Sequence, residues 1–442
     1  MSNKRLKALM IVEQCNPTFS SVPFVAYNIF REIEQIFDVT LVTHERNRSA
    51  FETTTEHKNI VYISQSDFIT KYYNFVEGFA SKGHMNWPLY HTLTYPIYGE
   101  FDKKVYNQFK QEILRGDYDI VHALTPMMPR YPYKVVKACK KTPFLLGPVN
   151  GGLPFPAGFK ETAKQESAGL NFLRTLGRSL IPGYVETYKK ADKILVGSTY
   201  TMQMLKNTLA IPDSKIELLY ENGISKDFLN RAKNKSERSK INLLFVGRLV
   251  PYKCADVVIE AISKLDKDIQ DNVLLSIVGD GSERSNLEKQ VQELNLGEVV
   301  KFVGWINQQE ILEYYSKSDI FCFPSIREFG GAVVLEAMAC GLPCIVANNG
   351  GIGEYVTEEV GFKIQPNSKE YLTQELTEKI KILVKDEQLR KNMSRKAVER
   401  VQEFEWQRKA QKIVNIYEEL IEAKSGSSLK NPVNQHSRVP VQ

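Results

Sequence analysis

Residues 319–355 constrain the fold more than any other stretch. They read DIFCFPSIREFGGAVVLEAMACGLPCIVANNGGIGEY: an apolar run, a glycine loop, a helix-forming run, a second apolar run and a second glycine loop. DIFCFPS has the length of a buried strand, stopped by Pro324 and Ser325. AVVLEAMAC carries good helix formers, and Gly341-Leu342-Pro343 ends the helix expected there. LPCIVAN reads as the next buried strand, closed by Asn349-Gly350-Gly351.

Paired glycines directly before a helix let bare backbone N–H groups approach a ligand, where the helix dipole favours negative charge. The candidate ligand-binding positions here are Phe329, Gly330, Gly331, Ala332 and Val333. Two carboxylates frame them, Glu328 before the loop and Glu336 one or two turns into the helix. An anion with a hydroxylated body fits this arrangement, with phosphate near the amides and sugar hydroxyls on the carboxylates. A tight strand-to-helix turn would also need the glycines. The framing carboxylates and the second loop weigh toward a ligand.

The remaining chain repeats the pattern of short apolar runs and helical segments. ALMIVE, DVTLVT, NIVYIS, DIVHAL, PFLLGPV, KILVGS and KIELLYEN are strand candidates in the first half. Helical patterns lie between several of them, around Val25 to Ile36 and Tyr200 to Asn207. Residues 225–240 are polar, basic and poor in apolar side chains, and read as a linker. A second series follows with INLLFVG, VLLSIVG, VVKFVG, DIFCFPS and LPCIVAN. The expected fold is therefore α/β: two Rossmann-like, doubly wound domains facing across a cleft, over 1–224 and 241–406. Ligands in such sheets sit beyond the carboxyl ends of the strands, so the cleft is the expected site. The polar end, 425–442, reads as a disordered tail.

Composition adds bounds. At 442 residues, 43% hydrophobic and 25% charged, the chain is ordinary for a globular protein of two or three domains. No apolar run approaches the roughly 20 residues of a membrane span, and the N-terminus reads as a first strand rather than a signal peptide. The six cysteines lack paired spacing for zinc and read as free thiols in a reducing cytosol. The net charge of +6 permits an anionic partner without demanding one, and no nucleic-acid partner is expected.

Gly247-Arg248-Leu249-Val250-Pro251-Tyr252-Lys253 follows the first strand of the second series. A guanidinium fork at Arg248 and an ammonium at Lys253 suit a diphosphate; a solvated basic loop would look the same. Val278-Gly279-Asp280-Gly281 closes the second strand with another close-approach loop, by itself a weak signal. Together these features fit a nucleotide-diphosphate site. Neither GxxxxGK[ST] nor a GxGxxG after the first strand is present, which disfavours a P-loop NTPase and a dinucleotide dehydrogenase.

In this order and spacing, GRLVPYK, VGDG, PSIREFGGAVVLEAMACGLPCIVA and NGGIGE resemble the retaining family 4 (group 1) glycosyltransferases of GT-B fold. Glu328 and Glu336, with seven residues between, match that family's paired glutamates. The resemblance is strong over 241–360 and weaker over 1–224. It implies a nucleotide-sugar donor on the second domain, an acceptor on the first, and a helix at about 407–424 crossing back onto the first. It further implies that Arg248 and Lys253 stabilise the leaving diphosphate without a required metal or cofactor, Glu336 binds ribose, and Glu328 binds the donor sugar. The loop at Trp305 and Ile306 would meet the base. Phe329-Gly330-Gly331 departs from the family's usual Gly-Phe-Gly.

The histidines lie in the first half (44, 57, 84, 91, 122) and the tail (436), so a catalytic histidine would come from the first domain. His122, ending the strand DIVHAL, is the candidate, with a core histidine the equal alternative. Relatives often carry His-x-His there, whereas this chain has Leu124. Asn150, Gly151 and Gly152, after the PFLL run, form a further glycine loop expected at the cleft side, for acceptor or donor. Asp117-Tyr118-Asp119 reads as a turn rather than a metal motif. The aromatic stretch from Phe68 to Tyr106 reads as an acceptor platform, an amphipathic patch on a membrane surface, or the core of an inserted helical element.

The expected function is transfer of a sugar from a nucleotide-diphosphate-sugar to a glycan or lipid-linked acceptor. The location would be cytoplasmic, with peripheral contact at the inner membrane face. A sugar-nucleotide epimerase or hydrolase of the same fold is the alternative, and a catalytically silent binding subunit a third reading.

Overall fold

The computed structural model describes residues 5–19, 21–52, 57, 59–80, 90, 93–124, 131–166, 169, 180–231 and 240–426. Two parallel sheets organise them. The first holds β1 (Lys7–Ile11), β2 (Asp38–His44), β3 (Ile60–Ile63), β4 (Ile120–Ala123), β5 (Phe144–Val149), β6 (Lys193–Val196) and β7 (Ile216–Leu218), in the order β3-β2-β1-β4-β5-β6-β7. The second holds β8 (Ile241–Val246), β9 (Val273–Val278), β10 (Val300–Gly304), β11 (Ile320–Phe323), β12 (Cys344–Ala347) and β13 (Gly361–Ile364), in the order β10-β9-β8-β11-β12-β13.

The first sheet is covered on both faces, and its strands divide their side chains between two cores. Leu9, Ile11, Val121 and Ala123 pack with Phe101, Val105 and Phe109 of the helix Tyr95–Arg115. Their neighbours Ala8, Met10 and Ile120 pack on the opposite face with Val25 and Phe30 of the helix Val22–Ile33. This is the period-two alternation of a strand, apolar on both sides because both sides are buried. The last helix, Trp406–Ser425, joins the second of these cores through Ile413, Val414 and Tyr417. The helix that follows the second sheet thus packs on the first.

Three segments differ from the sequence expectation. The polar stretch 225–240 contains a helix, Lys226–Arg231, whose Phe228 is buried with its ring 6.2 Å from that of Tyr315. KIELLYEN contributes only Ile216–Leu218 to the sheet, since Tyr220 to Gly223 turn into the connection between the sheets. Phe159 leaves the first half altogether and is buried in the core of the second, with Phe155 packed against the same core. The glycine before it, Gly158, lies directly against the Asn367 carbonyl.

The aromatic stretch divides. Tyr98 and Phe101 are core residues, whereas Phe68 and Phe75 on the helix Asp67–Ala80 are 76% and 68% exposed. Trp87, His84, His91, His436 and the tail from 427 lie outside the described residues. Among the described residues no helix is long and apolar enough to cross a membrane.

Candidate active site

The loops that leave the carboxyl ends of β8, β9, β10, β11 and β12 form one edge of the second sheet, and the signature motifs all lie on it. After β8 the chain passes Gly247 and Arg248 into a 3-10 turn, Pro251–Lys253. After β9, Gly279 has φ +133°, and a Cβ there would stand 2.0 Å from the Gly247 carbonyl oxygen. A Cβ on Gly281 would stand 2.4 Å from the Leu249 carbonyl oxygen. These glycines let two loops stack backbone on backbone, locked by hydrogen bonds from Gly247 N to Val278 O (3.0 Å) and Leu249 N to Asp280 O (2.9 Å).

The β8 loop and the β11 loop meet at an ion pair. The Lys253 ammonium contacts the Glu328 carboxylate, with the two side chains 11% and 16% exposed. The same ammonium stands 4.9 Å from the centre of the Phe323 ring. Arg248 is exposed beside it and donates to the Tyr252 hydroxyl at 2.8 Å. An exposed guanidinium and a sheltered ammonium thus lie on one loop. Both can serve an entering anion.

Gly331 caps the helix Ala332–Ala339 at φ +61°, a left-handed conformation glycine adopts without a Cβ penalty. Phe329, Gly330, Ala332 and Val333 flank it at the helix start. Glu336, on that helix, accepts from the Tyr315 hydroxyl at 2.8 Å. Burial raises its pKa and the Tyr315 hydroxyl opposes the shift. Past β10, Trp305 is 78% exposed and Ile306 half-buried. Asn349, in the β12 loop, donates to the Ile326 carbonyl at 2.6 Å, and Gly351 N donates to Glu328 O at 3.1 Å. The second glycine loop therefore braces the first.

From the first half, only part of the expected set reaches this edge. Asn150 does: its Nδ2 donates to the Phe329 carbonyl at 2.9 Å. Gly151 and Gly152 pack instead toward Thr201 and Met204 of the helix Thr199–Leu209. His122, expected either as a catalytic or as a core histidine, lies in the core of the first sheet. It is fully buried, with Nε2 at 2.6 Å from the Gly147 carbonyl and Nδ1 at 2.6 Å from the Tyr417 hydroxyl. Burial lowers its pKa to about 4, and neither ring nitrogen is left for a substrate. Asp117 pairs with Arg115 and Asp119 accepts from Lys7 N, at the opposite edge of the sheet.

Several residues here escaped the sequence reading. Arg327, inside the signature and next to Glu328, donates from Nε to the Leu153 carbonyl at 3.1 Å, with Phe155 and Phe329 rings 4.9 and 5.3 Å away. Glu354 receives Thr199 N at 3.0 Å from across the cleft. At the carboxyl edge of the first sheet, Glu13 accepts from Arg46 at 2.7 Å, and Arg46 also lies over the Tyr73 ring at 4.8 Å. Burial raises the Glu13 pKa against the pull of Arg46 and lowers that of neighbouring His44 to about 4. Arg327 and Glu354 stand in the quoted motifs, which was their signal. Glu13 and Arg46, each two residues past the end of a strand, had none.

Two parallel α/β sheets joined by a returning C-terminal helix, with the signature loops on one carboxyl edge, define the GT-B class of fold. Residues 226–400, the second sheet and its flanking helices, match the family of group 1 glycosyl transferases. It is similar to an uncharacterized glycosyltransferase of Methanocaldococcus jannaschii, 31% identical over 231 residues, which cover 52% of this chain and 60% of that protein. The chain thus spans less than two thirds of that relative's length. Among solved structures, a glycosyltransferase of Rickettsia africae superposes with a TM-score of 0.63 at 16% identity, covering 95% of this chain and 99% of that one. The HepE protein of Anabaena, crystallised with UDP, superposes with a TM-score of 0.62 at 16% identity, covering 94% and 100%.

Proposed function

We propose that the protein is a retaining glycosyltransferase that moves a sugar from a nucleotide-diphosphate-sugar to a glycan or lipid-linked acceptor. The observation that carries this reading is the Lys253–Glu328 pair at the mouth of two braced glycine loops, with Arg248 beside it. In the unliganded site the two charges hold each other. A donor diphosphate would draw Lys253 and Arg248 to its oxygens, releasing Glu328 to accept from sugar hydroxyls, while Glu336 is offered to the ribose. As the anomeric C–O bond breaks, its electron pair goes to the phosphate oxygen, where the two cations drawn there stabilise the growing charge. The acceptor oxygen bonds to the anomeric carbon, and its proton leaves to the departing phosphate.

An epimerase or hydrolase would need an acid and a base facing the sugar from the first sheet. The groups at that edge, Glu13 and His44, are already engaged by Arg46, which favours transfer. The acceptor is assigned to the first-sheet side of the cleft. UDP, the ligand crystallised with the Anabaena protein, is the first probe for this chain. UDP at about 100 times its Kd should raise the unfolding free energy by about 2.7 kcal/mol. No shift with UDP, GDP or ADP would sink the donor assignment.

A further inference from the structure

Beside the Arg327–Leu153 hydrogen bond, a buried amide reaches the donor loop from the opposite sheet. Asn150 follows β5 of the first sheet and is 5% exposed. Its Nδ2 donates to the Phe329 carbonyl and to Glu221 Oε2, both at 2.9 Å. Its Oδ1 accepts from Ser198 Oγ at 2.9 Å and Thr201 Oγ1 at 3.0 Å. The chemistry sets the orientation of this amide: a carbonyl can only accept, so the NH2 must face Phe329, while hydroxyls can donate to the oxygen. Both hydrogens and both lone-pair directions are used.

Glu221 is itself anchored. Burial raises its pKa, and the residues beside it bind the returning helix: Lys409 donates to the Asn222 carbonyl at 2.6 Å and to that of Tyr220. A Cβ on Gly330 would stand 2.1 Å from Asn222 Nδ2 and 3.2 Å from Glu221 Oε2, so the donor loop lies flat on this anchored pair. Phe329 and Gly330 sit directly between Glu328 and the helix cap at Gly331.

We propose that Asn150 is the positioning residue of the donor loop: it holds the Glu328–Gly331 backbone in its ligand-ready shape only while the two sheets are closed on each other. This rests on the glycosyltransferase reading for its meaning but not for its test. A fully satisfied buried network fixes one geometry, and losing one donor leaves carbonyl and carboxylate partners without it. The loop's order would then depend on domain closure as well as on the bracing it receives within its own sheet.

Amide hydrogen exchange on the full chain, without ligand at pH 8, tests this. In Asn150→Ala, exchange over 326–336 should quicken at least tenfold, while β8 and β9 keep wild-type rates. Asn150→Asp separates the two ends of the amide. It keeps the acceptors for Ser198 and Thr201 but faces Phe329 and Glu221 with oxygen, so it should loosen the loop at least as much as Ala. Asn150→Ser replaces the Ala variant if that chain does not fold. Wild-type exchange over 326–336 in a folded Asp, Ala or Ser variant would overturn the proposal, as would quickening spread equally over both sheets. Adding UDP then checks the underlying reading separately: wild type should slow over 326–336 and the variants should not. Absence of slowing in wild type counts against UDP binding, not against the clasp.

Discussion

Lys253 and Glu328 lie 75 residues apart in the chain and in contact in the fold, because β8 and β11 are neighbours in the second sheet. Each side chain is mostly sheltered, so each depends on the other for charge balance. Lys253→Met should leave the Glu328 carboxylate without its partner and lower stability by about 1–3 kcal/mol. Turnover of a matched donor should fall roughly 100-fold or more, the scale of a lost electrostatic contact to a departing group. Adding Glu328→Leu to that variant should recover stability but not turnover. A double variant as active as wild type, in a urea and initial-rate comparison, would remove the pair from the site.

The glycine at the helix cap gives a sharper geometric test. An alanine at 331 would sit at φ +61° with its Cβ 2.2 Å from Ile352 Cγ2 and 3.0 Å from Glu328 Cγ. Either the backbone leaves the left-handed region or Ile352 and Glu328 move. Gly331→Ala should cost about 1–3 kcal/mol and weaken nucleotide binding, because the side chain displaced belongs to the site. Gly297→Ala is the control, with nothing within 4 Å and no positive φ; it should stay within about 0.5 kcal/mol of wild type. Equal melting temperatures for the two variants would contradict the cap.

How much of this was legible in the residues depends on what periodicity reports. It tells which positions are buried, so the strands around Ile120 and Ile345 were readable, but not which element covers them. That His122 meets Tyr417, 295 residues later, follows from where the last helix returns. Phe159, in a Pro/Gly-rich loop, and Phe228, in a polar stretch, follow no period that would mark a side chain docking on another unit. Glu328 and Glu336 were legible because their spacing is local. Arg327 and Asn150 act across the cleft, and only the packed sheets bring Asn150 to Phe329.

The buried histidine sets a pH dependence. In the folded chain burial holds His122 near pKa 4, whereas the free side chain titrates near 6.5. Between these values the unfolded state binds more protons, so the contribution is complete above pH 6.5 and is lost as pH falls through that window toward 4. From pH 7.5 to 5 it should remove roughly 2 kcal/mol. His44 shifts the same way and Asp102, raised to about 6, the opposite way, so the test is a difference. His122→Asn should be less stable at pH 7.5 yet lose less on acidification, with nucleotide affinity unchanged. The same pH slope in variant and wild type, from denaturant melts, would move the ring out of this role.

Trp305 is the reverse case, an aromatic with little structural work. It is 78% exposed at the carboxyl end of β10, on the same sheet edge as the glycine loops. Removing it from the unliganded protein uncovers almost nothing, so Trp305→Ala should leave stability within about 0.5 kcal/mol of wild type. If its ring stacks on the donor base, the variant should lose about 1 kcal/mol or more of UDP binding, roughly fivefold in Kd. Trp305→Phe should recover part of that loss, since a smaller π-face still stacks. Calorimetric titration of the three proteins with UDP separates the outcomes. Equal affinity in wild type and Trp305→Ala would mean the base sits elsewhere on the sheet edge.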